Sequence, residues 1–234
     1  MYSYVDVLAT LDVKSAHPGG LELTKLLLSK EDITVDSRIL DAGCGTGKTT
    51  EYLAETYGCR IDAIDQHSDM VTKARSRLTN LEKVFVKKGS IEKLPYGSDL
   101  FDIILAESVM AFLHNKQIGL AELKRVLMDT GSLIMNEMAL IHPLKEEDKK
   151  IMQRFYDVPC LYSREEWTEL LKKAGFSEVS VLDVEKQLIN NKNLVDMSLD
   201  KNIDGNCLDI LDEHLRLADY YKEEVGFLLF RCKN

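Results

Sequence analysis

The sequence predicts an α/β fold, a parallel sheet with helices on both faces. Two observations predict it: short β-rich runs alternate with helical periods from about residue 38 onward, and the first run ends in a glycine-rich turn that opens a helix. RILDA (38–42) is the first strand, and the segment after Gly47 is a helix with Leu53, Ala54 and Tyr57 on one side. RIDAID (60–65) is the second strand, followed from about Ser68 by a helix that buries Val71, Ala74 and Leu78. KVFVKK (83–88) and LFDIILAE (100–107) are further strands. A helix from Asn115 to Leu127 leads to GSLIMNEM (131–138), with a turn at Asp129-Thr130-Gly131-Ser132 before it.

Beyond Pro143 the order changes. Lys145–Tyr156 is a charged helical stretch. SREEWTELLKKAGF is a helix with a Ser163–Glu166 capping box and a stop at Gly175. SEVSVLDV (177–184) and GFLLFRC (226–232) are the last strands, separated by a polar, loop-like run over 185–205. A helix follows that run, with Leu208, Leu211, Leu215 and Ala218 along one face. No repeat or Pro/Gly linker interrupts the 234 residues, so one domain with peripheral elaborations is expected.

Composition narrows the partners. Thirty-nine acids against 30 bases give a net charge of −9, which disfavours nucleic acid and anionic membranes and leaves a small molecule or a protein. The five cysteines are scattered, odd in number and without a C-x-x-C pair, so neither a disulfide framework nor a local zinc site is expected, and no metal is assigned. With no basic leader and no apolar run of about 20 residues, the expectation is a soluble, cytoplasmic protein.

DAGCGTGKTT (41–50) carries the chemistry. A phosphate-gripping Walker loop needs G-x-x-x-x-G-K-[ST], but Ala42 stands where its first glycine belongs. Asp41 would add negative charge beside a polyphosphate, and Asp102 opens its strand rather than closing it as a magnesium ligand. Instead Gly43, Gly45 and Gly47 form G-x-G-x-G after a strand, and Asp65 ends the next strand 22 residues beyond Gly43. A carboxylate there can accept from both hydroxyls of a ribose. Two acids without a basic partner suit a nucleoside that lacks phosphates and carries positive charge, as S-adenosylmethionine does. A tight strand–helix turn without a ligand is the plainer alternative. With the Walker reading set aside, Lys48 begins the helix leaving the turn and is expected to point to solvent.

On these residues the chain resembles class I S-adenosylmethionine-dependent methyltransferases of small molecules, including the ubiquinone/menaquinone-biosynthesis type. RILDAGCGTGKTTEYLA looks like their first motif, RIDAIDQHSDMVTKAR like their second strand–helix unit, and KKGSIEKLPYGSDLFDIILAESVMAFL like their third and fourth strands. AELKRVLMDTGSLIMNE resembles the entry to the fifth, and YSREEWTELLKKAGFSEVSVLDV extends the likeness. The resemblance implies a Rossmann-like, doubly wound, seven-stranded and mostly parallel sheet whose antiparallel last strand lies beside the fifth. It implies S-adenosyl-L-methionine as cofactor, a lid and lead-in helix in residues 1–37, a cofactor-binding core in 38–138, and cap elements with the last helices and strands in 139–234.

It further implies that Asp41, Gly43, Gly45, Thr46 and Gly47 surround the methionine moiety, with Asp65 on the ribose and Gln66 and Met70 beside the adenosine. Ser90 and Ile91 would flank the adenine, where the family usually has an acid in place of Ser90, and Glu107 would lie near the methyl donor.

Methyl transfer needs an in-line nucleophile and little else, and a base only where a proton must leave, so no catalytic residue is assigned. Candidates are those at the carboxyl ends of the strands: Glu107, His114 and His142, with Phe112 and Glu137 nearby. Tyr2, Tyr4 and His17 are possible lid groups, and Tyr156, Tyr162 and Trp167 a possible far wall. Each has a plainer reading: a helix start for His114, a loop for His142, a turn for His17, core packing for Trp167, and a solvated helix face for His214. A catalytically silent cofactor-binding module that regulates a partner, and a protein methyltransferase, are the functional alternatives.

Overall fold

The computed structural model describes residues 2–10, 17–182 and 204–234. Most of the predicted polar run (185–203) and the last two residues of the predicted 177–184 strand lie outside the described residues.

Seven strands form one sheet: β1 (Arg38–Ala42), β2 (Arg60–Asp65), β3 (Val84–Lys88), β4 (Phe101–Glu107), β5 (Leu127–Leu140), β6 (Glu178–Leu182) and β7 (Val225–Lys233). Their order is β3-β2-β1-β4-β5-β7-β6. All neighbouring pairs are parallel except those made by β7, which is antiparallel to both β5 and β6. The antiparallel strand therefore lies beside the fifth, as expected. The order reverses between β1 and β4, and an open sheet forms its binding crevice at such a switch point, outside the carboxyl ends of the strands.

The central strands are buried on both faces. Leu40, Ile104, Leu133 and Phe230 point into one core with Trp167 and Leu171, while Ile39, Ile61, Leu105 and Ile134 point into another with Leu23, Leu27 and Leu53. The helices that cover them are α2 (Gly20–Leu28), α3 (Lys48–Tyr57), α4 (Ser68–Arg77), α5 (Lys116–Val126) and α7 (Arg164–Lys173). The α7 capping box is present in full, with Ser163 Oγ accepting from the Glu166 amide and the Glu166 carboxylate accepting from the Ser163 amide. Trp167 is a core residue whose indole N–H donates to the Met138 carbonyl, and it takes no part in a cavity wall.

Three further helices, α1 (Tyr4–Thr10), α6 (Glu146–Tyr156) and α8 (Gly205–Tyr220), gather over the carboxyl ends of the strands.

Two local expectations are corrected. Residues 129–132 are not a turn before β5 but part of it: Phe101 pairs with Leu127 and Ile103 with Ser132, so the extra residues bulge out of the ladder. In α8 the buried face is Cys207, Leu211, His214 and Leu217, whereas Leu208 and Leu215 are 41% and 50% exposed. Apolar residues occupy two faces of this helix, so periodicity alone cannot choose between them. The aromatic rings of Tyr4 and Tyr156 decide, because they pack against His214 and draw its side under cover.

Candidate functional site

The glycine turn is built by backbone hydrogen bonds to the neighbouring strand. The amides of Gly43 and Cys44 both donate to the Ile64 carbonyl, at 2.8 and 3.0 Å. The Gly45 amide donates to Asp65 Oδ2 at 2.9 Å, and the His67 amide to Asp65 Oδ1 at 2.8 Å. Asp65 thus locks the turn to the start of α4 while still lining the cavity beside it. Gly43 has φ +87°, and a Cβ there would lie 2.6 Å from Val109 Cγ2, so both its conformation and its surroundings demand glycine.

A cavity of about 640 Å³ opens at the crevice. At its inner end stand three carboxylates, Asp41, Asp65 and Glu107, at or next to the carboxyl ends of β1, β2 and β4. Thr50 donates to Asp41 Oδ2 at 2.5 Å. Thr24 donates to Glu107 Oε1 at 2.8 Å, and the other Glu107 oxygen lies 3.2 Å from His17 Nε2. Burial pushes the Asp41 carboxyl up to about 7, and the nearby Glu107 adds to the effect. Burial pushes Glu107 up to about 8 and His17 down to about 4. The His17–Glu107 contact is therefore a hydrogen bond between a neutral ring and a carboxyl group rather than an ion pair.

The cavity wall contains Asp41, Gly43, Gly45, Thr46, Asp65, Gln66, Met70, Ile91 and Glu107 among the expected cofactor residues. It does not contain Gly47 or Ser90. Gly47 precedes α3 at φ +83°, where a Cβ would meet Leu78 and Ala74 of the neighbouring α4 segment. Ser90 Oγ accepts from the Glu92 amide and caps the short helical turn Ile91–Lys93. Lys48 does not point simply to solvent, since it borders the cavity and lies 3.5 Å from Glu51.

The remaining candidates separate. Tyr4, His17, Phe112, His142 and Tyr156 line the cavity, whereas Tyr2, His114, Glu137, Tyr162 and Trp167 do not. His114 is exposed beside Asn115, the cap of α5. Glu137 is fully buried and accepts from the amides of Val109, Met110 and Ala111 at 3.1, 2.9 and 2.9 Å, so it anchors the loop after β4. His214, expected on a solvated face, is 7% exposed, lines the cavity and lies 2.9 Å through Nδ1 from the Tyr156 hydroxyl. Thr24 and Thr50 carried no local signal, because their partners lie on other elements.

Residues 33–175 match the family model of the methyltransferase domain. The chain belongs to that family. An uncharacterized methyltransferase of Bacillus subtilis, YodH, is 34% identical over 232 residues, 98% of each chain. Phosphoethanolamine N-methyltransferase of Plasmodium falciparum is 28% identical over 171 residues, covering 71% of this chain and 63% of that protein. Among solved structures, Haemonchus contortus phosphoethanolamine N-methyltransferase 2, in complex with phosphomonomethylethanolamine and S-adenosylhomocysteine, superposes with a TM-score of 0.80 at 16% identity. That match covers 98% of this chain and 57% of the other, so the chain spans little more than half the length of that structure. It shows the fold.

Family and fold together make the protein a class I S-adenosylmethionine-dependent methyltransferase. The matched model is that of the methyltransferase domain at large, so the likeness to the ubiquinone/menaquinone type remains a likeness. The donor set fits the cofactor. Carboxylates that burial holds near or above neutrality are relieved by a cation placed among them, and the cofactor brings both an ammonium and a sulfonium. Asp65, with each oxygen holding one amide, keeps lone pairs for hydroxyl donors.

Proposed function

We propose that this methyltransferase passes the methyl group of S-adenosylmethionine to a small-molecule acceptor by in-line displacement. The observation that carries the proposal is the set Asp41, Asp65 and Glu107, gathered from three adjacent strands around one glycine turn at the inner end of a roofed cavity. When bound, the cofactor supplies an electrophilic methyl on a sulfonium whose departure leaves a neutral thioether.

The chain's own residues do the holding. Asp41 and Glu107 offer negative charge to the methionine portion, beside the backbone of Gly43, Gly45 and Thr46. Asp65 accepts from the ribose hydroxyls, Gln66 and Met70 lie along the adenosine, and Ile91 borders the adenine. The roof of α1, α6 and α8 limits access to the strand ends, which favours a small molecule over a protein side chain. Among the described residues no helix is long and apolar enough to cross a membrane and no cluster could hold a metal ion. A single domain acting in the cytoplasm completes the reading.

Titration calorimetry with S-adenosylhomocysteine tests it. Binding in the micromolar to low-millimolar range is expected, and Asp65→Ala should weaken it by at least about tenfold, the loss of a bidentate acceptor worth ~1.5–3 kcal/mol. No heat of binding to the wild type would overturn the proposal.

A further inference from the structure

The outer half of the cavity is chemically unlike its inner end. Leu8 of α1, Met152 of α6, Leu217 and Ala218 of α8, and Met138 of β5 form an apolar wall. A buried polar pair stands within it, and His142, Lys222 and Glu223 also line the cavity. Tyr156 and His214 are buried, 3% and 7% exposed, with the Tyr156 hydroxyl 2.9 Å from His214 Nδ1. Tyr4 packs against both rings, with centroids 5.0 Å from Tyr156 and 5.1 Å from His214. Burial holds the imidazole neutral and the phenol protonated. His214 Nε2 has no hydrogen-bond partner among the described residues.

The same wall lacks what an ionic acceptor needs. A phosphate or carboxylate group is held by cations, most strongly by the fork of an arginine, and among the described residues no arginine lines the cavity. Its two lysines each face a carboxylate already: Lys48 lies 3.5 Å from Glu51 and Lys222 3.2 Å from Asp219. Burying a phosphate dianion against methionine and leucine without a counter-charge would cost several kcal/mol.

We infer that the outer half of the cavity is the acceptor site, and that it takes a neutral, apolar-bodied molecule whose single hydroxyl docks on the Tyr156–His214 pair. The inference rests on the donor site being where the proposed function puts it. It assigns specificity to this chain that differs from what the phosphoethanolamine-methylating relatives are named for. Tyr156 and His214 serve here as a binding pair: one neutral donor and one neutral acceptor match a hydroxyl, which both gives and takes a hydrogen bond.

The test uses the full chain saturated with S-adenosylhomocysteine, and the affinity of added probes is read by titration calorimetry. 2-Naphthol represents the inferred class, and phosphoethanolamine and sarcosine represent ionic acceptors. 2-Naphthol should bind at least tenfold more tightly than either ionic probe. Tyr156→Phe should weaken 2-naphthol by about three- to tenfold, the loss of one neutral hydrogen bond. Ala218→Phe, which fills the wall from a half-buried helix position, should abolish its binding. S-adenosylhomocysteine affinity should stay within twofold in both variants, which also reports that they are folded.

Preference for phosphoethanolamine or sarcosine, no detectable 2-naphthol binding, or 2-naphthol binding indifferent to both substitutions would each overturn the inference. Failure of S-adenosylhomocysteine to bind the wild type would instead strike the donor site itself.

Discussion

Asp41→Asn separates the stability of this protein from its function. Asp41 is 5% exposed, and burial pushes its carboxyl from an ordinary 3.8 up to about 7. Each pH unit between those values is worth about 1.4 kcal/mol, so ionising Asp41 inside the fold costs on the order of 4 kcal/mol. A folded-state value raised above the unfolded one means that stability is fully present below about pH 4 and is lost as the pH rises through about 7. Glu107 and Glu137, pushed up by burial to about 8 and about 7, act with the same sign.

Asparagine removes the charge and keeps an oxygen to accept from Thr50, so the variant should gain about 1–4 kcal/mol at pH 8 and little at pH 5. The same change should weaken S-adenosylhomocysteine by about ten- to a hundredfold, since its ammonium loses a carboxylate. Urea denaturation across pH 5–8, with and without S-adenosylhomocysteine, reads both effects. A variant no more stable than the wild type at pH 8, or a wild type whose stability does not fall between pH 5 and 8, would refute the reasoning.

Other outcomes follow from the same contacts. Glu137→Ala strands three amides, two of them buried, and should cost at least about 3 kcal/mol in urea unfolding, whereas Glu137→Gln keeps one oxygen and should cost ~1–3 kcal/mol. Gly43→Ala combines a positive φ with a contact to Val109, so it should lower stability by about 2–4 kcal/mol. Adding Val109→Ala should return part of that loss, and a double-mutant cycle in thermal unfolding measures how much. Cys160 is exposed and the other four cysteines are buried, so native protein should show one fast-reacting thiol by mass spectrometry after brief alkylation.

The sheet was legible because its determinants are local. Short β-rich runs such as IDAI and FDIILA, alternating with helical periods, read as strands of a parallel sheet. The turn after β1 was equally legible, since glycine spacing reports backbone geometry directly. Acids at or next to the ends of their strands place Asp41, Asp65 and Glu107 at the carboxyl edge of the sheet. Residues whose roles depend on distant partners stayed hidden. Glu137 resembled a strand-end acid like Glu107, yet it lies under the loop after β4, where three amides take it up. His214 looked solvated among its charged neighbours, and only the packing of α1 and α6 on α8 closes it off.

By itself, then, the amino-acid sequence determined the alternation of elements, the glycine turn and the acids that flank it, because each follows from backbone preferences and side-chain periodicity within a few residues. Tertiary structure alone decided which carboxylates are buried, which imidazoles are neutral and what lines the outer cavity. Those properties depend on desolvation and on partners far apart in sequence: 83 residues separate Thr24 from Glu107, and 58 separate Tyr156 from His214.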